Sequence, residues 1–277
     1  MLVTFPPQKD SSQQHPQTVY PQITSTQLPP IVLLNGWGMA GNAWGSFIPV
    51  LQQQHDVVVI DVVYSEDADA LCHNLHQQLP KPCVLIGWSL GGMLATKITA
   101  RYPESIVGLI TLASNAQFVA DSDWPDAMSA DVFDAFFYLF TSNPDKALQR
   151  FSHLVVQGDT QRREQKQYLQ SLTEAKTPTV NPPELMAGLV LLRDIKNQTA
   201  LKNIRCPSLH CFGENDALVP IKVADKIRSL NDMIQSDIIQ NYMIPESSHL
   251  LHAPVNRIEK QITKFLARAF NPQGKLQ

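Results

Sequence analysis

The stretch Cys83-Val84-Leu85-Ile86-Gly87-Trp88-Ser89-Leu90-Gly91-Gly92-Met93-Leu94 decides how the rest of the chain is read. Its first four residues form a continuous apolar run, the pattern of a strand buried on both faces. G-x-S-x-G follows at once, and the segment from Leu90 to Tyr102 has the length and pattern of a helix. A serine on a sharp strand-to-helix turn needs small residues two before and two after it, because neighbouring backbone packs against the turn. Gly87 and Gly91 occupy those positions, so Ser89 is the candidate nucleophile.

Outward from this stretch, three more apolar runs appear: Ile31 to Leu34 before Asn35-Gly36, Val57 to Ile60 before Asp61, and Val107 to Leu112 before Ala113-Ser114. Helix-length segments over 43–54, 68–79 and 90–102 separate them. Strand and helix in alternation imply an α/β fold, a mostly parallel sheet with helices on both faces. The alternation breaks after Ser114. Residues 117–197 hold no strand-like run, but Phe133, Phe136, Phe137 and Phe140 fall at helical spacing. A strand at 208–213, a helix at 221–230, a strand at 242–244 and a helix at 254–270 then resume the pattern. The expected organisation is an irregular N-terminal arm over 1–30, an α/β core over 31–116 and 198–277, and a helical lid inserted over 117–197.

Composition narrows the function. The 277 residues include 22 Lys+Arg against 25 Asp+Glu, a net charge of −3, which argues against a nucleic-acid binder. At 44% hydrophobic residues the chain has ample material for a core. Six prolines in the first 30 residues suit an arm that buries no core of its own. The four cysteines form no C-x-x-C pair and no zinc-site spacing, so they read as reduced, and neither metal nor cofactor is expected. The start of the chain has neither the basic segment nor the apolar core of a secretory signal. No stretch nears the roughly 18 apolar residues of a membrane span, so no membrane association and a cytoplasmic location are expected. Glycine is scarce, yet seven of 12 lie within 36–45 and 87–92, where backbone would bend around a site.

A serine attacks an acyl group only if a histidine takes its proton and a carboxylate orients the imidazole. Asp216 stands in the loop after the 208–213 strand, with Glu214 as competitor. His249 follows the last strand, with His252 three residues on. A tetrahedral intermediate needs two N–H donors. Leu90, after the nucleophile, is one candidate; Trp37, in Asn35-Gly36-Trp37-Gly38 after the first buried strand, is the other.

Leu33-Leu34-Asn35-Gly36-Trp37-Gly38, Gly87-Trp88-Ser89-Leu90-Gly91-Gly92, Asp123-Trp124-Pro125, Asp216-Ala217-Leu218-Val219-Pro220 and Ser248-His249 together resemble the α/β-hydrolase superfamily. Within it they look most similar to the pimeloyl-[acyl-carrier protein] methyl ester esterases of biotin synthesis. Two places depart from that pattern: Asn35 replaces a histidine, and Asp61-Val62-Val63-Tyr64-Ser65 replaces a glycine-rich loop. The resemblance implies a serine carboxylesterase that cuts a methyl ester on an acyl chain borne by acyl carrier protein, and a monomer is expected. It places Trp88, Phe133 and Phe137 on the substrate side and Lys146, Arg150 and Arg163 against the acidic carrier. A basic excess of five to three over 141–170 agrees with that docking and equally with a solvated helix face. A short-chain carboxylesterase of broader specificity is the alternative, and a non-catalytic binding protein of the same fold the remote one.

Overall fold

The computed structural model describes residues 18–19, 28–174, 181–233, 239–256 and 258–270. Apart from 18–19 and 28–30, the expected N-terminal arm lies outside them. Seven strands form one sheet: β1 (Thr18–Val19), β2 (Ile31–Leu34), β3 (Val57–Ile60), β4 (Cys83–Trp88), β5 (Ile106–Leu112), β6 (Ser208–Gly213) and β7 (Ile239–Ile244). Their order is β1-β3-β2-β4-β5-β6-β7. All neighbours run parallel except β1, which pairs antiparallel with β3. Every residue of β2, β4 and β6 is buried; the apolar runs of β2 and β4 require it, and β6 buries Ser208 and His210 as well. β7, at the edge, is mostly open to solvent.

The core helices are α1 (Phe47–Leu51), α2 (Ala68–Gln78), α3 (Leu90–Arg101), α9 (Lys222–Met233) and α10 (Ile258–Ala269). Asp67 caps α2 by accepting from the Asp69 and Ala70 N–H groups. Two expected helices are shorter than their sequence windows. The 43–54 segment divides into a 3-10 turn at Gly41–Trp44 and α1, because Gly45 takes a φ of 42° between them. The last divides into a 3-10 turn at Pro254–Asn256 and α10.

Between β5 and β6 stand α4 (Ala130–Ser142), α5 (Pro144–Val155), α6 (Arg162–Glu174), α7 (Pro182–Asp194) and α8 (Gln198–Lys202). The two ends of this insert close on each other. Gln117 bridges antiparallel to Lys196, and the Asn197 N–H donates to the Ala116 carbonyl at 2.8 Å. All four cysteines are free and buried, and burial raises the Cys72 and Cys83 thiols to about 12, where they are unreactive. Among the described residues no helix is long and apolar enough to cross a membrane.

Candidate active site

The parallel strands all end at one edge of the sheet, so the loops after β2, β4, β5, β6 and β7 gather there. β2 and β4 are neighbours although β3 lies between them in sequence, and this switch in strand order opens a crevice at their C-terminal ends. Leu34 pairs with Gly87, which sets Asn35-Gly36 opposite Trp88-Ser89. A Cβ placed on Gly36 would lie 3.1 Å from the Ser89 Cβ.

Ser89 has φ 55° and ψ −122°, a region that side-chain-bearing residues seldom enter and that costs about 1–3 kcal/mol. Its surroundings hold it there. The Ser89 N–H donates to the Leu112 carbonyl at 2.9 Å, and its own carbonyl accepts from Ser114 Oγ at 2.8 Å. Bare backbone must pass close: a Cβ on Gly87 would stand 2.4 Å from the Gly91 oxygen, and one on Gly91 2.2 Å from the Leu34 oxygen. Ser89 occupies the cap position of α3 but its side chain makes no cap bond. The other described non-glycine residues with positive φ are Ala113 and Glu246, each within two residues of the end of a strand at this same edge. Strain gathered at the ends of β4, β5 and β7, all on one edge of the sheet, marks a functional edge.

Of the paired candidates, the structure brings His249 and Asp216 together. His249 Nδ1 lies 2.7 Å from Asp216 Oδ2, both side chains essentially buried. The other Asp216 oxygen, Oδ1, accepts from the Leu218 and Val219 N–H groups at 2.8 and 3.0 Å. With Nδ1 so occupied, His249 Nε2 is buried without a protein partner, the one ring nitrogen left for a reacting proton. His252 instead has Nε2 2.9 Å from the Ala43 carbonyl, and burial lowers its pKa to about 4. Glu214 is exposed, its Oε2 accepting from the Glu246 N–H at 2.9 Å.

Leu90 opens α3, so its N–H is among the donors a helix start leaves unpaired. Among the described residues the Trp37 N–H has no backbone acceptor. The Trp37 side chain joins the loop to the insert. Its indole N–H donates to the Leu185 carbonyl of α7 at 2.7 Å, and its ring meets Phe136, Phe140 and Phe151 edge-on at 5.7, 5.6 and 4.9 Å.

The aromatic stripe of α4 divides by face. Phe133 and Phe136 line an apolar cleft of about 70 Å³ with Trp37, Phe118, Phe151 and Leu218. Phe137, one position further round the helix, lies outside that lining with Arg193 5.9 Å over its ring. Trp88, expected at the substrate, is instead a prop of the histidine loop: its indole N–H donates to the His249 carbonyl at 2.9 Å, and it too lies outside the cleft lining. Arg150 stands at the cleft rim and is exposed. Lys146, one turn earlier on α5, and Arg163 on α6 are exposed and do not line the cleft.

Two contributors are absent from the sequence reading. Asp159, in the turn between α5 and α6, is buried; its Oδ2 accepts from the Ser248 N–H at 3.1 Å and the Gln165 amide at 2.9 Å. Beside it Gly158 has φ 91°, and a Cβ there would stand 2.2 Å from the Asn215 oxygen. This one turn of the insert therefore seats on both the aspartate and the histidine loops. Gly158-Asp159 reads in sequence as a turn pair, and nothing in it signals a partner 89 residues away. The second is Tyr64, whose hydroxyl donates to the Gly36 carbonyl at 3.1 Å. Among the described residues no group of His, Cys, Asp and Glu could hold a metal ion.

Comparison with known proteins identifies the family of the chain. The family model for the alpha/beta hydrolase fold matches residues 29–253. A pimeloyl-[acyl-carrier protein] methyl ester esterase of Vibrio campbellii is 34% identical over 232 residues, 80% of this chain and 88% of that protein. The biotin biosynthesis bifunctional protein BioHC of Cellvibrio japonicus is 35% identical over 232 residues, 81% of this chain but only 44% of its own length, so the chain spans less than half of that relative. Among solved structures, a bromoperoxidase from Bacillus anthracis superposes with a TM-score of 0.75 at 17% identity, over 86% of this chain and 92% of that one, a likeness of fold alone. A serine strained at the sheet's switch point thus sits inside a match that runs through most of the chain, and the chain belongs to the α/β-hydrolase family, close to the pimeloyl-[acyl-carrier protein] methyl ester esterases.

Proposed function

We propose that this hydrolase is a serine carboxylesterase acting on the methyl ester of pimeloyl-[acyl-carrier protein], with Ser89, His249 and Asp216 as its triad. The observation that carries the chemistry is the 2.7 Å His249–Asp216 contact, which leaves Nε2 buried and unpartnered. In this reading Nε2 takes the Ser89 proton as Oγ adds to the ester carbonyl. Asp216 holds Nδ1–H and stabilises the imidazolium that forms. The carbonyl oxygen, now anionic, accepts from the Trp37 and Leu90 N–H groups. Collapse of the intermediate expels methanol, which leaves with the proton from His249. Water deprotonated by His249 then opens the acyl-enzyme and releases the free carboxylate with Ser89 restored.

The substrate rests on the relatives' names and on the insert. An acyl chain is apolar, and the cleft walled by Trp37, Phe133, Phe136 and Phe151 offers apolar contact. Arg150 at its rim supplies positive charge where a phosphodiester linker and an acidic carrier would lie, with Lys146 and Arg163 extending it. The small cleft volume, about 70 Å³, favours a second reading, a short-chain carboxylesterase without need of a carrier.

Incubation with methyl pimeloyl carrier protein separates the two. Methanol release and conversion of the carrier-bound ester to the carboxylate, with Lys146→Glu and Arg150→Glu raising KM, is the expected result. Turnover of short aryl esters with indifference to the carrier-bound ester would establish the second reading instead.

A further inference from the structure

The segment after β3 carries a tyrosine whose position bears on the oxyanion. Tyr64 is buried, and its hydroxyl reaches the Gly36 carbonyl at 3.1 Å. That carbonyl and the Trp37 N–H belong to one peptide unit. The only cis bond among the described residues is Lys81-Pro82, so the Gly36–Trp37 unit is trans and its C=O and N–H point in opposite directions. Two donors grip the oxygen, the Tyr64 hydroxyl at 3.1 Å and the Met39 N–H at 3.3 Å, and what grips the oxygen aims the N–H. Hydrogen bonding at the carbonyl also polarises the amide and makes its N–H a stronger donor.

The grip is well supported. Burial raises the phenol pKa far above its ordinary value, with Glu184 and Asp61 adding to it, so the hydroxyl stays a neutral donor. α7 lies against both partners: a Cβ on Gly188 would stand 2.6 Å from Trp37 Cδ1 and 3.1 Å from Tyr64 Cδ2. From the same segment, Asp61 Oδ1 accepts from the Gly41 N–H at 2.5 Å, a second hold on the loop after β2.

We propose that Tyr64 is a positioning residue of the oxyanion hole: by holding the Gly36 carbonyl it aims and polarises the Trp37 N–H toward the oxygen that becomes anionic. This rests on the reading of Trp37 as an oxyanion donor. Tyr64 thus does from the β3 side what Leu90 needs no help to do, since the axis of α3 already orients the Leu90 N–H.

The test is Tyr64→Phe, which deletes only the hydroxyl. The expected outcome is a fall in kcat of about 10-fold, smaller than the loss of a whole donor, with KM within about twofold and Tm nearly unchanged. Affinity for a trifluoromethyl ketone, whose serine adduct carries the oxyanion, should weaken by the same factor as kcat. In protein labelled with 15N-tryptophan, the Trp37 amide proton should move downfield on adduct formation, and less so in Tyr64→Phe. Absence of that shift in the wild type would refute the role of Trp37 itself. A wild-type shift reproduced in Tyr64→Phe, with kcat and inhibitor affinity unchanged, would overturn the role of Tyr64 alone. A loss of Tm with unaltered inhibitor affinity would make Tyr64 merely structural.

Discussion

The strand ends of the core and the helical insert meet at one site but are built in opposite ways. In the core, β2, β4 and β6 are buried at every position, and a strained Ser89 is held by backbone bonds to Leu112 and Ser114 Oγ. In the insert, α5 buries only the stripe Ala147, Phe151 and Val155. The insert meets the reactive loops through specific links: Trp37 on Leu185, Gly158 against Asn215, and Asp159 on Ser248. Proton transfer demands groups fixed to within a fraction of an ångström, which a packed sheet edge supplies. Admission of a substrate demands a surface that can change without disturbing the sheet, which an attached helical layer supplies.

The sharpest way to break this contrast is to remove a core residue of the triad. Ser89→Ala or His249→Ala should lower kcat on the order of 10⁵- to 10⁶-fold, and Asp216→Asn about 10⁴-fold, with thermal melts close to wild type for Ser89→Ala. Esterase activity surviving His249→Ala would mean that another base serves and that the core edge is not the reactive one.

Acid should weaken the core through buried histidines. Burial holds His210 and His252 at about 4, while in the unfolded chain they titrate near 6.5. Below pH 6.5 the unfolded chain takes up protons that the folded one refuses, so stability falls as pH drops toward 4 and levels off beneath it. Urea unfolding at pH 7 and pH 5 should differ by about 2 kcal/mol for each of these two groups, about 4 kcal/mol together, and His210→Gln should roughly halve that difference. An equal difference in wild type and variant would contradict the assignment.

Where the two regions join, Asp159→Ala leaves the Ser248 N–H without its acceptor and the Gln165 amide with only Asn256 Oδ1, at a cost of about 1–3 kcal/mol. Because the loss falls next to His249, kcat should drop as well, whereas Ser152→Ala on the exterior of α5 should leave it alone. A stable, fully active Asp159→Ala would show that the insert does not brace the histidine loop.

The smallest effect belongs to the surface of the insert. Reversing Lys146 and Arg150 to Glu should raise KM for the carrier-bound ester about 5- to 10-fold, more at low salt, while kinetics on a short aryl ester hold. Equal changes on both substrates would separate these cations from carrier docking.

The same contrast governs what could be read from sequence. The core was legible because unbroken apolar runs and a glycine-flanked serine are local signals, and a mostly parallel sheet then follows from alternation, whereas the order of its strands came from the structure. His249 over His252, and Asp216 over Glu214, were legible as loops, and the geometry distinguishes each from its neighbour by burial and partner. The bracing was not legible. Trp88 on His249, Tyr64 on Gly36 and Asp159 on Ser248 act across 161, 28 and 89 residues, and no local pattern encodes such pairs. The α4 stripe shows a milder version: period alone puts four phenylalanines on one face, but only packing against Trp37 and α7 turns Phe136 inward and leaves Phe137 beneath Arg193.

The central claim, that Ser89 is a nucleophile activated at the core edge, is tested most directly by reaction with a fluorophosphonate followed by mass spectrometry of the intact protein and its peptides. A single adduct on the peptide containing Ser89, absent in Ser89→Ala and formed far more slowly in His249→Ala, is the predicted result. An unlabelled wild type, or an adduct on any other residue, would contradict it.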